Sequence, residues 1–203
     1  MSHVDFDTVK RIVEAALLAA DRPLAMNDLF GLFTNSFEEA PMEKALSGKD
    51  ASRGDSKIPS RSLLKEVLSA LEKDCESRGI ELEEVASGFR YQIRSEYAEY
   101  IQRLWVERPI RYSRALLETL AIIVYRQPIT RGEIEEIRGV SVASSTIKTL
   151  REREWVRVIG HRDVPGRPAI YGTTRGFLNY FGLKTLDDLP PLSDIKDLDS
   201  LEG

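Results

Sequence analysis

The sequence predicts a mainly helical α+β protein with small β-hairpins, made of two tandem winged-helix (helix-turn-helix-like) domains. Apolar residues at helical spacing precede an alternating hairpin pattern in each half of the chain. A fixed offset of 105 residues aligns the halves, pairing Ile12 with Leu117, Pro23 with Pro128, Leu24 with Ile129 and Asp28 with Glu133. Few pairs are identical, so a duplicated unit and a chance similarity of two helical hairpins both remain open.

The first domain is predicted over residues 1–106 and opens with two helices. The first helix ends before Pro23 and carries apolar residues at i, i+3, i+4 and i+7, namely Val9, Ile12, Val13, Ala16 and Leu17. The second helix is short, and its apolar residues are Leu29, Leu32 and Phe33. Residues 47–57 contain no large apolar side chain, so burial cannot offset their ordering entropy. We therefore expect a mobile loop there, within a flexible insertion near 34–59.

The rest of the first domain reads as a helix, a hairpin and a closing helix. After Pro59, one apolar stripe carries Leu64, Val67, Leu68, Leu71 and Cys75, which predicts a buried, unreactive thiol at Cys75. Alternating apolar residues at 80–85 and 89–93, separated by a turn at 86–88, predict the hairpin. A helix over 96–105 is expected to pack an apolar face inward, formed by Tyr97, Tyr100, Ile101, Leu104 and Trp105. The alternative is that its aromatic residues Tyr97, Tyr100 and Trp105 anchor a partner.

The second domain is predicted over residues 107–183, and its elements have clearer boundaries. Ser113 caps a helix, and the Thr130 to Glu133 spacing forms a capping box at the start of a short helix that stops at Gly139. A third helix is expected from about Ser144 to Glu154. Strands at 156–159 and 170–173 then flank residues 163–168, whose Pro–Gly pair favours a type II turn. Residues 184–203 form an acidic tail, the first part of which is expected to pack on this domain.

Charge is distributed unevenly along the chain, whose net charge is −4. Residues 1–106 hold 14 basic and 19 acidic side chains, residues 107–183 hold 13 and eight, and residues 184–203 hold two and six. The basic segment permits a nucleic-acid contact, whereas the whole molecule should be attracted to DNA weakly or not at all.

Several classes of function lack the residues that they need. The sequence contains neither a phosphate-binding GxxxxGK[ST] loop nor a dinucleotide-binding GxGxxG motif, and its two histidines and single cysteine are scattered. We therefore predict no enzymatic activity, cofactor or metal site. The longest apolar run falls far short of the roughly 18 residues that span a membrane, and the first residues lack a signal-peptide layout. A cytoplasmic protein is expected.

Two candidate surfaces lie in the second domain. The predicted turn could present a rigid recognition loop to a partner or could simply fix hairpin register; its candidate residues are His161, Asp163, Pro165, Gly166, Arg167 and Pro168. The third helix places basic side chains where a DNA-binding winged helix contacts bases, so Lys148, Arg151 and Arg153 are candidates for a weak DNA contact. The nearby Glu152 and Glu154 weaken this interpretation and favour a solvated or partner-facing surface.

Several strings resemble the segregation and condensation protein B family. They are RGIEL at 78–82, GFRY at 88–91, ETLAIIVY at 118–125, QPIT at 127–130, EIEEIRGV at 133–140, DVPGRP at 163–168, YGTT at 171–174, FGLK at 181–184 and LPP at 189–191. The resemblance is close in the second half and looser in the first, where the region at 34–59 is longer than the family pattern.

This resemblance implies a homodimer, formed mainly by the N-terminal domains, that binds the kleisin segregation and condensation protein A. Through the kleisin it implies an adaptor of the structural-maintenance-of-chromosomes ATPase, associated with the nucleoid and acting in chromosome condensation and partition during cell division. Two rival functions are a winged-helix transcription regulator and an interaction module for another kleisin-like protein. Nanomolar, sequence-dependent binding to duplex DNA without a partner would favour the regulator over the adaptor. Co-purification with segregation and condensation protein A would favour the adaptor over a module for another kleisin-like protein.

Overall fold

The computed structural model describes residues 5–34, 58–104 and 111–191. The chain forms two compact units, which we call unit 1 (residues 1–104) and unit 2 (residues 105–203). Most of the predicted insertion near 34–59, including the loop at 47–57, and the tail after residue 191 lie outside the described residues.

Unit 1 contains helices followed by a two-stranded hairpin and a last short helix. Its elements are α1 (Phe6–Ala19), α2 (Met26–Gly31), α3 (Arg61–Asp74), β1 (Ile80–Val85), β2 (Gly88–Ile93), a 3-10 turn (Ser95–Tyr97) and α4 (Ala98–Gln102). The strands pair antiparallel from Ile80 opposite Ile93 to Val85 opposite Gly88, so the connecting turn has two residues. The predicted hairpin is confirmed.

The core of unit 1 lies where α1, α2 and α3 meet one face of the hairpin. Its buried residues are Val9, Val13, Leu17, Leu29, Leu64, Val67, Leu68 and Leu71, and Leu82, Phe89 and Tyr91 pack against them. Cys75 is buried as predicted, and this burial raises the pKa of its thiol, which keeps the thiol protonated. Burial also raises the pKa of Tyr91 to about 12.

The prediction of one closing helix for the first domain was wrong, both in the length of the helix and in the burial of its apolar residues. Instead of one helix over 96–105, the chain forms the 3-10 turn and then α4, which has only five residues. The two elements follow different helical periods, so the predicted apolar stripe does not stay on one face. Tyr100 and Leu104 are 65% and 73% exposed rather than buried. Trp105 lies outside the described residues.

Unit 2 has the element order of a winged helix, which confirms the predicted fold class. It consists of α5 (Arg114–Arg126), β3 (Ile129–Thr130), α6 (Arg131–Arg138), α7 (Ser144–Glu152), β4 (Val156–His161), β5 (Ala169–Thr173), α8 (Arg175–Tyr180) and a 3-10 turn (Leu186–Asp188). The strands form an antiparallel sheet in the order β3-β5-β4. The third helix ends two residues earlier than predicted, and Glu154 adopts a φ of +57° just after it.

The core of unit 2 lies between its helices and the sheet. It contains Leu116, Leu120, Ile123, Val124, Ile129, Ile134, Val142, Ile147, Leu150, Trp155, Val156 and Phe177. Leu183 and Leu189 pack against this core, and the Tyr125 hydroxyl donates a hydrogen bond to the Pro190 carbonyl over 2.7 Å. The first part of the tail therefore packs on unit 2, as the sequence indicated.

The structure shows the same plan in both units, and the predicted offset of 105 residues holds at the strand position and helix cap that follow the first helix of each. In unit 1, Leu24 bridges to Phe89 of the hairpin, and in unit 2 Ile129 pairs with Tyr171 at the corresponding place. A carboxylate three residues after each helix cap accepts a hydrogen bond from the cap's backbone N–H. Asp28 does so from Ala25 over 3.0 Å, and Glu133 from Thr130 over 2.6 Å. These shared details favour a duplicated unit over chance similarity.

Candidate partner-binding and nucleic-acid-binding surfaces

The tip of the β4–β5 hairpin is a rigid turn. The Arg167 backbone N–H donates to the Val164 carbonyl over 2.9 Å, and Gly166 has a φ of +85°. With Pro165 between them, this is the predicted type II turn, in which the third position requires a left-handed conformation that glycine adopts readily. Of the six candidate partner residues, Pro168 is half-buried, whereas the other five are exposed: His161, Asp163, Pro165, Gly166 and Arg167.

The turn end of this hairpin is tied to α6. Arg162 donates to the Glu133 carboxylate over 2.9 Å, while the same carboxylate accepts from the backbone N–H and hydroxyl of Thr130. These bonds, led by the one from the Thr130 backbone, hold the pKa of Glu133 below its usual range, and Arg162 adds to the effect. Glu133 therefore serves both as the predicted helix cap and as an anchor for the hairpin.

Replacing Glu133 with glutamine is expected to destabilise unit 2 by about 1 kcal/mol at neutral pH, because a charged cap and an ion pair are lost. Since the folded-state pKa of Glu133 is lowered, its stabilisation is present above the usual carboxyl pKa and disappears as pH falls through the folded-state value. Urea unfolding at pH 7 and pH 3 measures this. Glu136→Gln, an exposed position on the same helix, is the control. An equal loss of stability by both variants at pH 7 would refute the assigned role.

The turn between α6 and α7 is held by side chains of α6. Gly139 ends α6 with a φ of +68°. The Glu135 carboxylate then accepts from the Val142 backbone N–H over 2.9 Å, and Arg131 donates to the Val142 carbonyl and to the Ser144 hydroxyl. The position of α7 relative to α6 is thereby fixed, as in a helix-turn-helix.

An open groove of about 1050 Å³ lies beside α7, between this helix and the strands β4 and β5. Two of the three candidate DNA contacts, Lys148 and Arg151, line it. The third, Arg153, is directed elsewhere. Its guanidinium stacks on the ring of Tyr112 at 4.6 Å, lies 5.5 Å from the Trp155 ring and donates to the Tyr112 hydroxyl over 2.9 Å. Arg153 therefore packs against aromatic residues at the edge of the unit 2 core and does not line the groove.

Three further cationic residues line the groove, and sequence reasoning did not single out two of them, Arg157 and Arg175. Arg131 begins α6, Arg157 lies on β4 and Arg175 begins α8. They are far apart in sequence, and only the packing of three elements brings them to one surface. The exposed position of Arg157 in the alternating pattern of β4 was the one available signal.

The described residues form no group of three or more His, Cys, Asp or Glu side chains suited to holding a metal ion. None of the helices in the described ranges is long and apolar enough to cross a membrane.

Residues 11–192 match the family model for the segregation and condensation complex subunit ScpB. The chain belongs to the ScpB family. A relative from Coxiella burnetii, named segregation and condensation protein B homolog, is 51% identical over 194 residues, which are 96% of this chain and 83% of the relative. Segregation and condensation protein B of Syntrophotalea carbinolica is 41% identical over 196 residues, 95% of this chain and 87% of that protein.

Solved ScpB structures are also similar to the chain. The ScpB of Mycobacterium tuberculosis is 28% identical, with a TM-score of 0.37 over 90% of this chain and 99% of that one. A dimer of an ScpB N-terminal domain complexed with an ScpA peptide is 26% identical, with a TM-score of 0.34 over 49% of this chain and 98% of that one.

Proposed function

We propose that this protein is a non-enzymatic adaptor that binds ScpA as a homodimer and acts in chromosome condensation and partition during cell division. The family match across residues 11–192 carries the proposal. The N-terminal domain of another ScpB is a dimer in a complex with an ScpA peptide. We further propose that ScpA connects this protein to the structural-maintenance-of-chromosomes ATPase, at the nucleoid in the cytoplasm.

Unit 1 has exposed apolar side chains that suit a protein contact. Leu18 on α1 is 76% exposed, and Tyr100 and Leu104 project from α4 and the turn that follows it. Large apolar side chains left in water favour association with another protein surface, and aromatic residues are enriched where such contacts are strongest. These residues are our candidates for the contacts made by unit 1.

The hairpin turn of unit 2 is a second candidate contact for a protein partner. Its type II geometry and its anchoring through Arg162 reduce the entropy lost when it binds. Val164, His161 and Arg167 would then supply apolar and charged contacts from an already ordered loop.

Co-expression with affinity-tagged ScpA from the same genome tests the proposal. We expect the two proteins to co-elute, and we expect the double variant Tyr100→Ser/Leu104→Ser to reduce recovery or dimer content several-fold. The control is Leu117→Ser, which changes an exposed leucine of unit 2. Absence of co-elution with the unaltered protein would contradict the adaptor function. Equal losses in the control and the double variant would instead remove the assignment to unit 1.

The alternative function is that of a winged-helix transcription regulator, and the observation that favours it is the basic groove beside α7. A regulator reads base edges and so discriminates between sequences, typically by several orders of magnitude in affinity. Nanomolar binding to one duplex but not to an unrelated one, without ScpA, would favour this alternative.

A further inference from the structure

The basic groove beside α7 carries an uncompensated positive charge. Its lining includes five cationic side chains and two acidic ones, and the cationic residues are Arg131, Lys148, Arg151, Arg157 and Arg175. The two acidic residues, Glu152 and Glu154, lie on α7 and just after it. The cations come from α6, α7, β4 and α8, so the charge covers the groove rather than one helix.

Three of the guanidinium groups are available to a ligand. Within the described part of the chain, Arg151, Arg157 and Arg175 are exposed and form no ion pair. Lys148 is also accessible, with its ammonium 3.6 Å from the Glu152 carboxylate and its side chain 75% exposed. Arg131, by contrast, forms an ion pair with Glu135 and donates a hydrogen bond to the Val142 carbonyl in the α6–α7 turn.

We propose that this groove binds the phosphate backbone of duplex DNA without reading its sequence. Guanidinium groups present paired N–H donors that match phosphate oxygens, and three of them together with the Lys148 ammonium suit a repeating anion. The helix α7 is the second helix of a helix-turn-helix, the element that lies against the major groove when such units bind DNA. This contact is separate from the proposed binding of ScpA.

The chemistry of the lining favours a nucleic-acid backbone over an acidic peptide. The exposed side chains of the lining are all polar or charged, whereas its apolar side chains are buried or half-buried and offer limited contact to a peptide side chain. Peptide segments gain much of their affinity from such apolar anchors, whereas a phosphate backbone requires mainly cations. The cations come from four elements rather than from α7 alone, which favours contacts along the phosphate backbone over base readout by a single helix.

Binding through four cations is expected to be weak and strongly dependent on salt. With about four phosphates neutralised, the affinity should fall about 100-fold between 50 and 200 mM monovalent salt. Each arginine removed should reduce the slope of log affinity against log salt by about 1. Two unrelated duplexes should bind equally within about twofold.

Fluorescence anisotropy of labelled 30-base-pair duplexes with the full chain tests this proposal. The groove variant is Arg151→Ala/Arg157→Ala/Arg175→Ala. The matched control is Arg111→Ala/Arg114→Ala/Arg126→Ala, which removes the same charge from exposed positions of unit 2 outside the groove. We expect at least a tenfold loss of affinity at 50 mM salt for the groove variant and less than twofold for the control. Unchanged thermal unfolding and co-elution with ScpA show that each variant is folded.

Three results would overturn the proposal. The unaltered chain could fail to bind either duplex at 50 mM salt, or the control could lose as much affinity as the groove variant. A labelled glutamate-rich peptide could also bind through the same three arginines while the duplexes do not, which would make the groove a peptide site.

Discussion

Replacing Gly88 with alanine is expected to destabilise unit 1 by about 3 kcal/mol or more. Gly88 has a φ of +134°, a conformation that is strained for residues with a side chain. An added Cβ would lie 2.2 Å from the Leu24 carbonyl oxygen and 2.6 Å from the Ala25 nitrogen. Both atoms belong to the backbone beside the bridge between Leu24 and Phe89, so the added Cβ can be accommodated only if this bridge opens.

Circular dichroism during urea unfolding of the full chain measures this effect. We expect the unit 1 transition to move to lower urea concentration while the unit 2 transition stays in place. Gly31→Ala is the matched control, because a Cβ at the end of α2 meets nothing within 4 Å. This control should be neutral or slightly stabilising, since alanine favours helix more than glycine does. If Gly88→Ala unfolded like the unaltered chain, the close approach of Gly88 to Leu24 would be incorrect.

Replacing Trp155 with alanine is expected to destabilise unit 2 by about 3–5 kcal/mol. Trp155 is 2% exposed, and its ring centroid lies 5.2 Å from that of Tyr112, 4.7 Å from Tyr180 and 5.4 Å from Phe181. Removal of the indole leaves a cavity and also deprives the Arg153 guanidinium of one of its two aromatic neighbours.

Urea unfolding and near-ultraviolet circular dichroism measure the loss of this aromatic cluster. The Trp155→Phe variant retains an aromatic ring and should lose less stability than the alanine variant. Tyr180→Ala, at a residue that is 55% exposed, should have a smaller effect than Trp155→Ala. Equal losses for Trp155→Ala and Tyr180→Ala would contradict the central position of Trp155 in the cluster.

Long helices and capped boundaries could be predicted from the sequence because their signals are local. The stripe of Val9, Val13 and Leu17 identifies the buried face of α1, and the spacing of Thr130 and Glu133 identifies the start of α6. The type II turn was also predictable, since Pro165 and Gly166 encode its two central conformations.

Features that depend on packing between distant segments could not be predicted in this way. Arg157 and Arg175 reach one groove only because β4 and α8 both lie beside α7. The stacking of Arg153 on Tyr112 joins residues that lie 41 positions apart, so no local pattern reveals it. Helical periodicity likewise suggested burial of Tyr100, although α4 is too short to carry a continuous packed face.

The central claim is that this ScpB family member is a dimeric adaptor for ScpA. Size-exclusion chromatography with multi-angle light scattering, run on the chain alone and mixed with purified ScpA, tests it most directly. We predict a mass of twice the 23.0 kDa of one chain, and a heavier peak containing both proteins after mixing. A single-chain mass that ScpA leaves unchanged at micromolar concentrations would contradict the claim.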